Sequence, residues 1–495
     1  MTQISITNLT FYYDGHYENI FENTTFQFDT AWKLGLIGRN GKGKTTFLKL
    51  LQGQYEYRGT IQADTDFEYF PYPVRDTHRN TLEVIEDVSP DYELWKICRE
   101  LNELKVDCEV LYRPFETLSH GEQTKVMLAV LFSKDNKFLL IDEPTNHLDM
   151  EGRKLLGDYL NQKKGFLLVS HDREFLDRCI DHVLALDRAR ITVTKGNFSV
   201  WQQEKERQDQ AELAQNETLK KDIRKLQQSA KEVERWAGKA EKAKFEKVAG
   251  LRPDRGFMGH KAAKIMKRSK NLENRMQDAI EEKEGLLKNV ETVEDLKLFP
   301  LTHHKKVLVR MQEVSIAYGQ KTVLDGFGMT LEAGERIALQ GANGCGKSSI
   351  LKLVTGENQV SSGTLELASG LIISYIPQNT GFLKGMLNDY IADEDLDETL
   401  FKSILRKLDF SRTQFEKRME DFSEGQRKKV LIAGSLCRRA HLYVWDEPLN
   451  YIDLFSRMQI EKLILSFEPT MLMVEHDRAF VERAATRKIL LPGIF

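Results

Sequence analysis

The sequence predicts an α/β protein with two similar halves joined by a long antiparallel α-helical hairpin, and three observations predict it. Apolar β-type segments, glycine-rich loops and amphipathic helices alternate in residues 1–199 and again in 300–495. One set of motifs occurs in each region, and each member of the second set lies 303 to 305 residues after its counterpart. Residues 200–299, between the two sets, are polar, charged and nearly free of helix breakers.

Composition limits the class of protein. A chain of 495 residues with 41% hydrophobic residues suffices for two or three domains with ordinary cores. No apolar run approaches the length of a transmembrane helix, and the N-terminus lacks the basic and apolar regions of a signal peptide. The five cysteines are scattered without a Cys-x-x-Cys pair, so neither a disulfide framework nor a zinc site is predicted. We therefore expect a cytoplasmic protein.

The first motif is a phosphate-binding loop. A predicted buried strand over Lys33–Ile37 leads into the pattern G-x-x-x-x-G-K-T, and an amphipathic helix follows. The loop and the adjoining threonine are Gly38, Arg39, Asn40, Gly41, Lys42, Gly43, Lys44, Thr45 and Thr46. Such glycines let backbone N–H groups turn toward phosphates, while Lys44 reaches the outer phosphates and Thr45 offers its hydroxyl to magnesium. The pattern predicts a site for ATP and Mg²⁺.

Acidic residues end a second apolar strand, and a histidine follows a third. Asp142 and Glu143 come after Phe138–Ile141, where the aspartate is placed to hold magnesium and the glutamate to polarise a water against the γ-phosphate. His171 follows the apolar Phe166–Val169 and is placed to sense that phosphate or orient the water. The alternative is a strand that merely ends at solvent, and the phosphate loop upstream argues against it.

The second set of motifs repeats this order. Its phosphate loop, with the residue that follows it, is Gly341, Ala342, Asn343, Gly344, Cys345, Gly346, Lys347, Ser348 and Ser349. Asp446 and Glu447 end the corresponding strand, and His476 follows the next one. The near-constant spacing indicates a duplicated domain, so we predict nucleotide-binding domains over 1–199 and 300–495.

The middle segment is strongly basic. Residues 221–270 contain 16 Lys/Arg and 6 Asp/Glu, although the whole chain has a net charge of −3. Apolar residues recur every three or four positions from Leu219 to Ala240, as in a coiled coil. Glycines and a proline at 250–259 predict a tip near 249–260, so a helix over Trp201–Val248 would extend about 70 Å. The charge suits an arm for a polyanion, or a spacer whose charges only keep it soluble.

A further pair of motifs carries a resemblance to a known family. Each half has a short Ser-x-Gly segment between its phosphate loop and its acidic strand, and both resemble the signature motif of ATP-binding-cassette (ABC) ATPases. The two segments are Leu118-Ser119-His120-Gly121-Glu122 and Phe422-Ser423-Glu424-Gly425-Gln426. The resemblance implies two tandem ABC ATPase domains that pair head to tail. ATP on Lys44 would then be covered by Ser423 and Gly425, and ATP on Lys347 by Ser119 and Gly121.

The run Glu143-Pro144-Thr145-Asn146-His147-Leu148-Asp149 is similar to the hallmark of the ABC-F family. Members are soluble tandem cassettes whose helical linker enters the ribosome at the exit-tRNA site. Residues 38–41 and 445–453 look most like the Lsa-type antibiotic-resistance members. The resemblance implies a monomeric ATP hydrolase that binds large-subunit rRNA and exit- or peptidyl-site tRNA. It also implies resistance to lincosamide, pleuromutilin and streptogramin A drugs by target protection. The alternatives are a housekeeping translation factor, the ATPase subunit of a drug exporter, or a chromosome or DNA-repair ATPase.

The resemblance also implies roles for single residues. Tyr13 and Tyr318 resemble the aromatic residues that stack on adenine, although each also suits a strand edge. Gln378 resembles a glutamine that helps ligate magnesium, and its counterpart Tyr72 cannot supply an amide oxygen, so we expect two unequal ATP sites. At the linker tip, Phe257 and Met258 are the candidates for reaching a nucleotide-lined pocket. Alternatively, the tip only reshapes bound tRNA or rRNA.

Overall fold

The structure is a computed structural model. It describes residues 3–13, 19–146, 148–186, 191–242, 264, 267, 270–272, 275–277, 296–319, 321–342, 344–358 and 360–491. Asn343 of the second phosphate loop and the tip residues Phe257 and Met258 lie outside the described residues.

The strands, in chain order, are β1 Gln3–Phe11, β2 Phe21–Asp29, β3 Lys33–Gly38, β4 Arg58–Gln62, β5 Asp66–Phe70, β6 Lys137–Asp142, β7 Phe166–Val169, β8 His182–Leu186, β9 Ile191–Lys195, β10 Val307–Tyr318, β11 Lys321–Glu332, β12 Arg336–Gln340, β13 Ser362–Leu367, β14 Ile373–Ile376, β15 Leu442–Asp446, β16 Met471–Val474 and β17 Arg487–Leu490. The α-helices are Lys44–Leu51, Thr81–Val88, Leu94–Glu103, His120–Phe132, Met150–Gln162, Arg173–Cys179, Phe198–Lys242, Lys347–Thr355, Leu387–Asp393, Glu398–Lys407, Glu424–Cys437, Leu454–Phe467 and Arg478–Ala484.

Both halves are built on the same largely parallel sheet. The first has the strand order β5-β6-β7-β3-β8-β9 and the second β14-β15-β16-β12-β17. Each half adds a small antiparallel sheet, β2-β1-β4 or β11-β10-β13. The predicted fold class, two tandem α/β domains, is therefore confirmed. Parallel strands bring their carboxyl ends to one edge, so the motifs that follow β3, β6 and β7 lie together.

Burial explains the strand sequences. The central strands β7 and β16 are buried at every position, as expected for a parallel sheet covered on both faces. One apolar cluster lies on each side of each sheet. The cluster of the first half also includes Leu454 and contacts Phe455 and Met458, which belong to the second half. The two halves therefore share an apolar contact.

The chain divides into two compact units, one formed by residues 1–201 and 293–495 and the other by residues 202–292. Taken by itself, the middle unit contains most of the helix Phe198–Lys242, which the sequence predicts to begin at Trp201. Ile223 is buried, while Leu219, Leu226 and Ala230 of the same predicted seam are partly buried. Their spacing places these positions on one face of the helix.

Candidate functional site

The glycine before the lysine has the same conformation in both phosphate loops. Gly43 and Gly346 cap the helices that follow, with φ of 90° and 94°. Only glycine adopts such angles without strain, and a Cβ on Gly43 would lie 2.5 Å from Ile20 Cγ2. The loop conformation therefore requires glycine at this point for two independent reasons.

The lysines of both loops are buried and fold over the loop backbone. Lys44 Nζ donates to the carbonyl of Gly38 at 2.7 Å and lies 3.2 Å from Asn40 Oδ1. Lys347 Nζ donates to the carbonyls of Gly341 and Ala342 at 2.7 and 2.9 Å. Each ammonium group is therefore held against its own loop, the position from which such a lysine binds phosphate oxygens.

Oxygen donors converge at the end of β6. Thr45 Oγ1 lies 3.0 Å from Asp142 Oδ2, and the Tyr69 hydroxyl donates to the same oxygen at 3.1 Å. Burial raises the pKa of Asp142, and it raises that of Asp446 in the second half to about 6. Asp446 Oδ1 is buried without a hydrogen-bond partner among the described residues. A hydroxyl beside a buried carboxylate is the oxygen set that Mg²⁺ prefers, so these residues fit the ion.

Each candidate base lies beside its histidine. Glu447 Oε1 is 3.1 Å from His476 Nε2, and the Gln378 amide donates to Glu447 Oε2 at 2.9 Å. Glu143 Oε1 is 3.2 Å from His171 Nε2, but the two atoms are not aligned for a hydrogen bond.

The surroundings of the two glutamates differ in charge. Burial, followed by the nearby Asp142, raises the pKa of Glu143 to about 8. Burial would also raise the pKa of Glu447, but its hydrogen bonds and the charge of His476 lower it to about 2. The two glutamates therefore have different surroundings, and the inequality of the two ATP sites stays a prediction.

Both signature serines are helix N-caps. Ser119 Oγ accepts a hydrogen bond from Glu122 N at 3.2 Å, and Glu122 Oε2 accepts one from Ser119 N at 2.8 Å. Ser423 and Gln426 form the same reciprocal pair in the second half. Gly121 and Gly425 occupy the first turn of each helix. A capped helix start with a small residue is a ready site for an anion.

The structure brings the first phosphate loop to the second signature segment. A cavity of about 330 Å³ is lined by Lys44, Thr45 and Glu143 of the first half and by Ser423 and Gly425 of the second. Asn40 Nδ2 donates to the carbonyl of Tyr451 at 3.3 Å, across the same junction. The head-to-tail arrangement predicted for this site is therefore present in the fold.

The first signature segment has different surroundings. The cavity beside Ser119 is lined by residues of the first half, among them Lys105, Glu122 and Lys125. Ser119 and Ala342 are exposed. The pairing of Lys347 with Ser119 and Gly121 stays a prediction.

Ion pairs that the motifs do not predict cross between the halves. Arg39 pairs with Asp409, and Arg173 with Glu461. Arg478 Nη1 lies 3.3 Å from Glu174. These partners are hundreds of residues apart and belong to no periodic pattern, so only the folded structure reveals them.

The predicted adenine-stacking tyrosines lie beside the helix that follows each loop. The Tyr13 hydroxyl is 2.8 Å from Thr46 Oγ1, and Tyr318 donates to Ser349 Oγ at 3.2 Å. The matching contacts reflect the duplication, and the stacking role stays a prediction. Tyr72 packs against the apolar core. The tyrosine that contacts Asp142 is Tyr69, which the sequence interpretation missed.

A family model described as "ABC transporter" matches residues 21–146 and 324–450, slightly more than half of the chain. With the repeated phosphate loops, acidic strand ends and signature helices, this match defines a protein with two tandem ABC ATPase domains. The chain belongs to the ABC-F family, and it is an ATP hydrolase.

The relatives support that placement. The chain is 27% identical over 505 residues to the ribosome protection protein VmlR of Bacillus subtilis (strain 168), covering 99% of this chain and 86% of that protein. It is 26% identical to the ATP-binding protein Uup of Buchnera aphidicola, covering 94% and 77%. Against the probable ATP-binding protein YbiT of Escherichia coli O157:H7 it is 25% identical, covering 94% and 92%.

Solved structures support the fold. An RNase-L inhibitor superposes with a TM-score of 0.61 at 19% identity, covering 99% of this chain and 88% of that one. An archaeal ribosome recycling factor, in complex with a ribosomal stalk protein, gives 0.62 at 19% identity, with coverage of 95% and 86%. In the described part of the chain, no helix combines the length and apolar character needed to cross a membrane.

Proposed function

We propose that this chain is a cytoplasmic, monomeric ribosome-protection factor powered by ATP. It binds the bacterial ribosome through its basic linker, at large-subunit rRNA and exit- or peptidyl-site tRNA. There it confers resistance to lincosamide, pleuromutilin and streptogramin A antibiotics by target protection. The observation that carries the proposal is the end-to-end match to a protein named for ribosome protection, which spans 99% of this chain and 86% of that protein.

The geometry of the sites supports ATP-driven action. In the first site, Lys44 binds the outer phosphates and Glu143, with His171 beside it, orients the attacking water. In the second site Lys347 and Glu447 have these roles, and His476 is hydrogen-bonded to the glutamate. Thr45 and Asp142 in the first site, and Ser348, Gln378 and Asp446 in the second, would hold Mg²⁺. The ion would supply positive charge to the phosphate oxygens.

The linker supports a nucleic-acid partner. The 16 basic side chains of residues 221–270 exceed the acidic ones by ten, in a chain that is acidic overall. Lysine and arginine clusters neutralise phosphates whatever the base sequence, so this binding weakens steeply with salt. We place rRNA and tRNA on this segment, and we assign Phe257 and Met258 to the drug-binding region because an aromatic ring stacks on bases.

ATP acts as a switch in this scheme. ATP bound between the first phosphate loop and Ser423 favours the docked arrangement of the two domains, which we propose is the form that binds ribosomes. Hydrolysis removes that preference and releases the protein. Glu143→Gln with Glu447→Gln therefore slows hydrolysis and traps the ribosome-bound form. Ribosome release at the wild-type rate in this double variant would contradict the scheme.

The test is expression in a drug-sensitive bacterial host. We expect the wild type to raise the minimum inhibitory concentrations of lincomycin, tiamulin and virginiamycin M. The Glu143→Gln/Glu447→Gln protein should not, although it sediments with ribosomes. A third strain with Phe257→Ala and Met258→Ala tests the tip. Its protein should still bind ribosomes, and resistance should fall.

Other outcomes would select an alternative. Soluble protein that sediments with ribosomes but raises no inhibitory concentration would favour a housekeeping translation factor. Relatives named only as ATP-binding proteins also match this chain. Resistance accompanied by reduced drug accumulation in the cells would favour an exporter subunit with a separate membrane partner.

A further inference from the structure

Three side chains meet where the first phosphate loop touches the second half. Arg39, the residue after Gly38, pairs with Asp409. The Arg39 guanidinium carbon also lies 5.7 Å from the centre of the Phe455 ring. The Arg39 and Asp409 side chains are only 14% and 16% exposed. Such a pair is shielded from salt, and a cation over an aromatic ring adds a second attraction.

The backbone around Asp409 is fixed to the signature segment. Asp409 has a φ of 62°, and its N–H donates to the carbonyl of Arg406 at 3.0 Å. The next residue, Phe410, packs edge to face on Phe422 with ring centres 5.4 Å apart. Phe422 directly precedes Ser423. A force on Asp409 is therefore transmitted to the serine of the signature segment through a packed aromatic pair.

The same junction holds the phosphate loop from a second direction. Asn40, next to Arg39, donates to the carbonyl of Tyr451. A Cβ on Gly425 would lie 2.4 Å from that carbonyl oxygen and 3.6 Å from Asn40 Nδ2. The carbonyl of Tyr451, in the same half as Gly425, therefore leaves no room for a side chain there, while the Asn40 amide lies at ordinary van der Waals distance. Small displacements of Arg39 would open this contact.

The sequence does not repeat these three residues at the corresponding positions of the other half. At the corresponding positions, 303 or 304 residues away, the sequence has Ala342, Lys105 and Glu151. Lys105 repeats the backbone of Asp409, with a φ of 52°, but carries the opposite charge. Ala342 and Lys105 are both exposed. The second phosphate loop therefore has an alanine where the first has Arg39, and the first half has a lysine where the second has Asp409.

We infer that Arg39 and Asp409, supported by Phe455, are positioning residues that keep the first phosphate loop docked on the second signature segment. The first composite site consequently binds ATP more tightly than the second. A ligand that bridges two surfaces gains affinity when they are already docked, because the binding-competent population is larger. The inference rests on the proposed ATP contacts of Lys44 and Ser423, and it is independent of ribosome protection.

The test separates the two sites with lysine variants. All proteins carry Glu143→Gln and Glu447→Gln, so that the fluorescent ATP analogue mant-ATP stays intact in the presence of Mg²⁺. Lys347→Ala leaves only the first site able to bind, and Lys44→Ala leaves only the second. Adding Asp409→Asn should raise the Kd for mant-ATP about tenfold in the Lys347→Ala protein and by less than about twofold in the Lys44→Ala protein.

Charge reversal distinguishes positioning from general damage to the fold. Arg39→Asp or Asp409→Arg alone should weaken the first site at least as much as Asp409→Asn. The double reversal should recover at least about threefold of that loss, because opposite charges face each other again. Asp135→Asn is the control, since Asp135 is an exposed carboxylate that pairs with Lys96 at 2.7 Å within one half. It should change either Kd by less than about twofold.

Four results would overturn the inference. Unchanged affinity in both backgrounds would show that the pair does not position the loop. Equal weakening in both would show general destabilisation, and a double reversal no better than the single variants would exclude charge pairing. Failure of the parent Lys347→Ala protein to bind mant-ATP would refute the assignment of ATP to Lys44, and the inference with it. Antibiotic resistance does not bear on any of these results.

Discussion

The buried ion pair between Arg173 and Glu461 links the two halves away from the phosphate loops, and its removal should be costly. The two side chains are 6% and 7% exposed. Glu461 Oε1 also pairs with Arg483 Nη1 at 2.9 Å, but the Arg483 side chain is 58% exposed. Glu461→Gln keeps the shape of the side chain and removes its charge. It therefore leaves the Arg173 guanidinium buried against a neutral amide.

The magnitude follows from the burial of each partner. Breaking a buried pair by neutralising one member costs about 3–5 kcal/mol. The remaining amide oxygen still accepts a hydrogen bond, so we take the lower end, about 3 kcal/mol. The exposed Arg483 contributes at most about 1 kcal/mol. For a domain of this size, about 3 kcal/mol corresponds to a fall in Tm of about 6–12 °C.

Thermal unfolding followed by calorimetry measures this effect, and two further variants serve as controls. Arg483→Gln removes only the exposed pair and should lower Tm by no more than about 4 °C. Arg173→Met with Glu461→Leu removes both charges and should recover most of the stability, because a buried pair replaced by apolar side chains is nearly neutral. Equal losses for Glu461→Gln and Arg483→Gln would refute the reasoning.

Three other perturbations should have measurable effects. Asp453→Asn breaks a pair with Lys429 at 2.8 Å whose side chains are 0% and 4% exposed, so calorimetry should show a loss of about 3–5 kcal/mol. Tyr69→Phe removes the hydroxyl that donates to Asp142, so the Mg²⁺ concentration for half-maximal ATPase activity should rise a few-fold. Burial raises the pKa of Glu475 to about 7, above its unfolded value near 4.5. The contribution of this group to the free energy of unfolding is fully present below about pH 4.5 and is lost as pH rises through 7. The total loss is about 3 kcal/mol. Glu475→Gln should therefore flatten the dependence of Tm on pH between 5 and 8.

Two of these three have a matched comparison. Asp149 is the counterpart of Asp453 and caps a helix through Gly152 N at 2.8 Å, so Asp149→Asn should cost less than about 1 kcal/mol. Similar losses for both variants would argue against the buried pair. Tyr72→Phe should leave the Mg²⁺ requirement unchanged, and a shift as large as that of Tyr69→Phe would contradict the role of the Tyr69 hydroxyl. A Glu475→Gln protein with the full pH dependence would show that another group is responsible.

Much of each half follows from sequence alone. The predicted strands over Lys33–Ile37, Phe138–Ile141 and Phe166–Val169 are confirmed, because buried parallel strands appear as continuous apolar runs. The phosphate loops and signature segments are local patterns whose backbone depends on glycine and on helix capping. These signals lie within a few residues of each other, which explains why they can be recognised without coordinates.

The contacts between the halves could not be predicted in this way. Asp409 is an ordinary loop residue in the sequence, and Glu461 is one acidic side chain on the helix Leu454–Phe467. Each becomes significant only because folding places an arginine from the other half beside it. Tyr72 illustrates a different limit. Because Tyr72 is the counterpart of Gln378, the sequence indicates that the first magnesium site differs from the second. Only the side-chain directions in the structure show that Tyr69 is the tyrosine that approaches Asp142.

The cavity between Lys44 and Ser423 has a consequence for how this protein behaves in dilution. Two separate polypeptides that built such a site would have to find each other, so their catalytic rate per molecule would fall as they were diluted. Here both surfaces belong to one chain, and tethering of this kind typically corresponds to an effective concentration in the millimolar range. The turnover number should therefore stay constant from micromolar to nanomolar protein. A cell would obtain a fully assembled ATPase from a single translated copy.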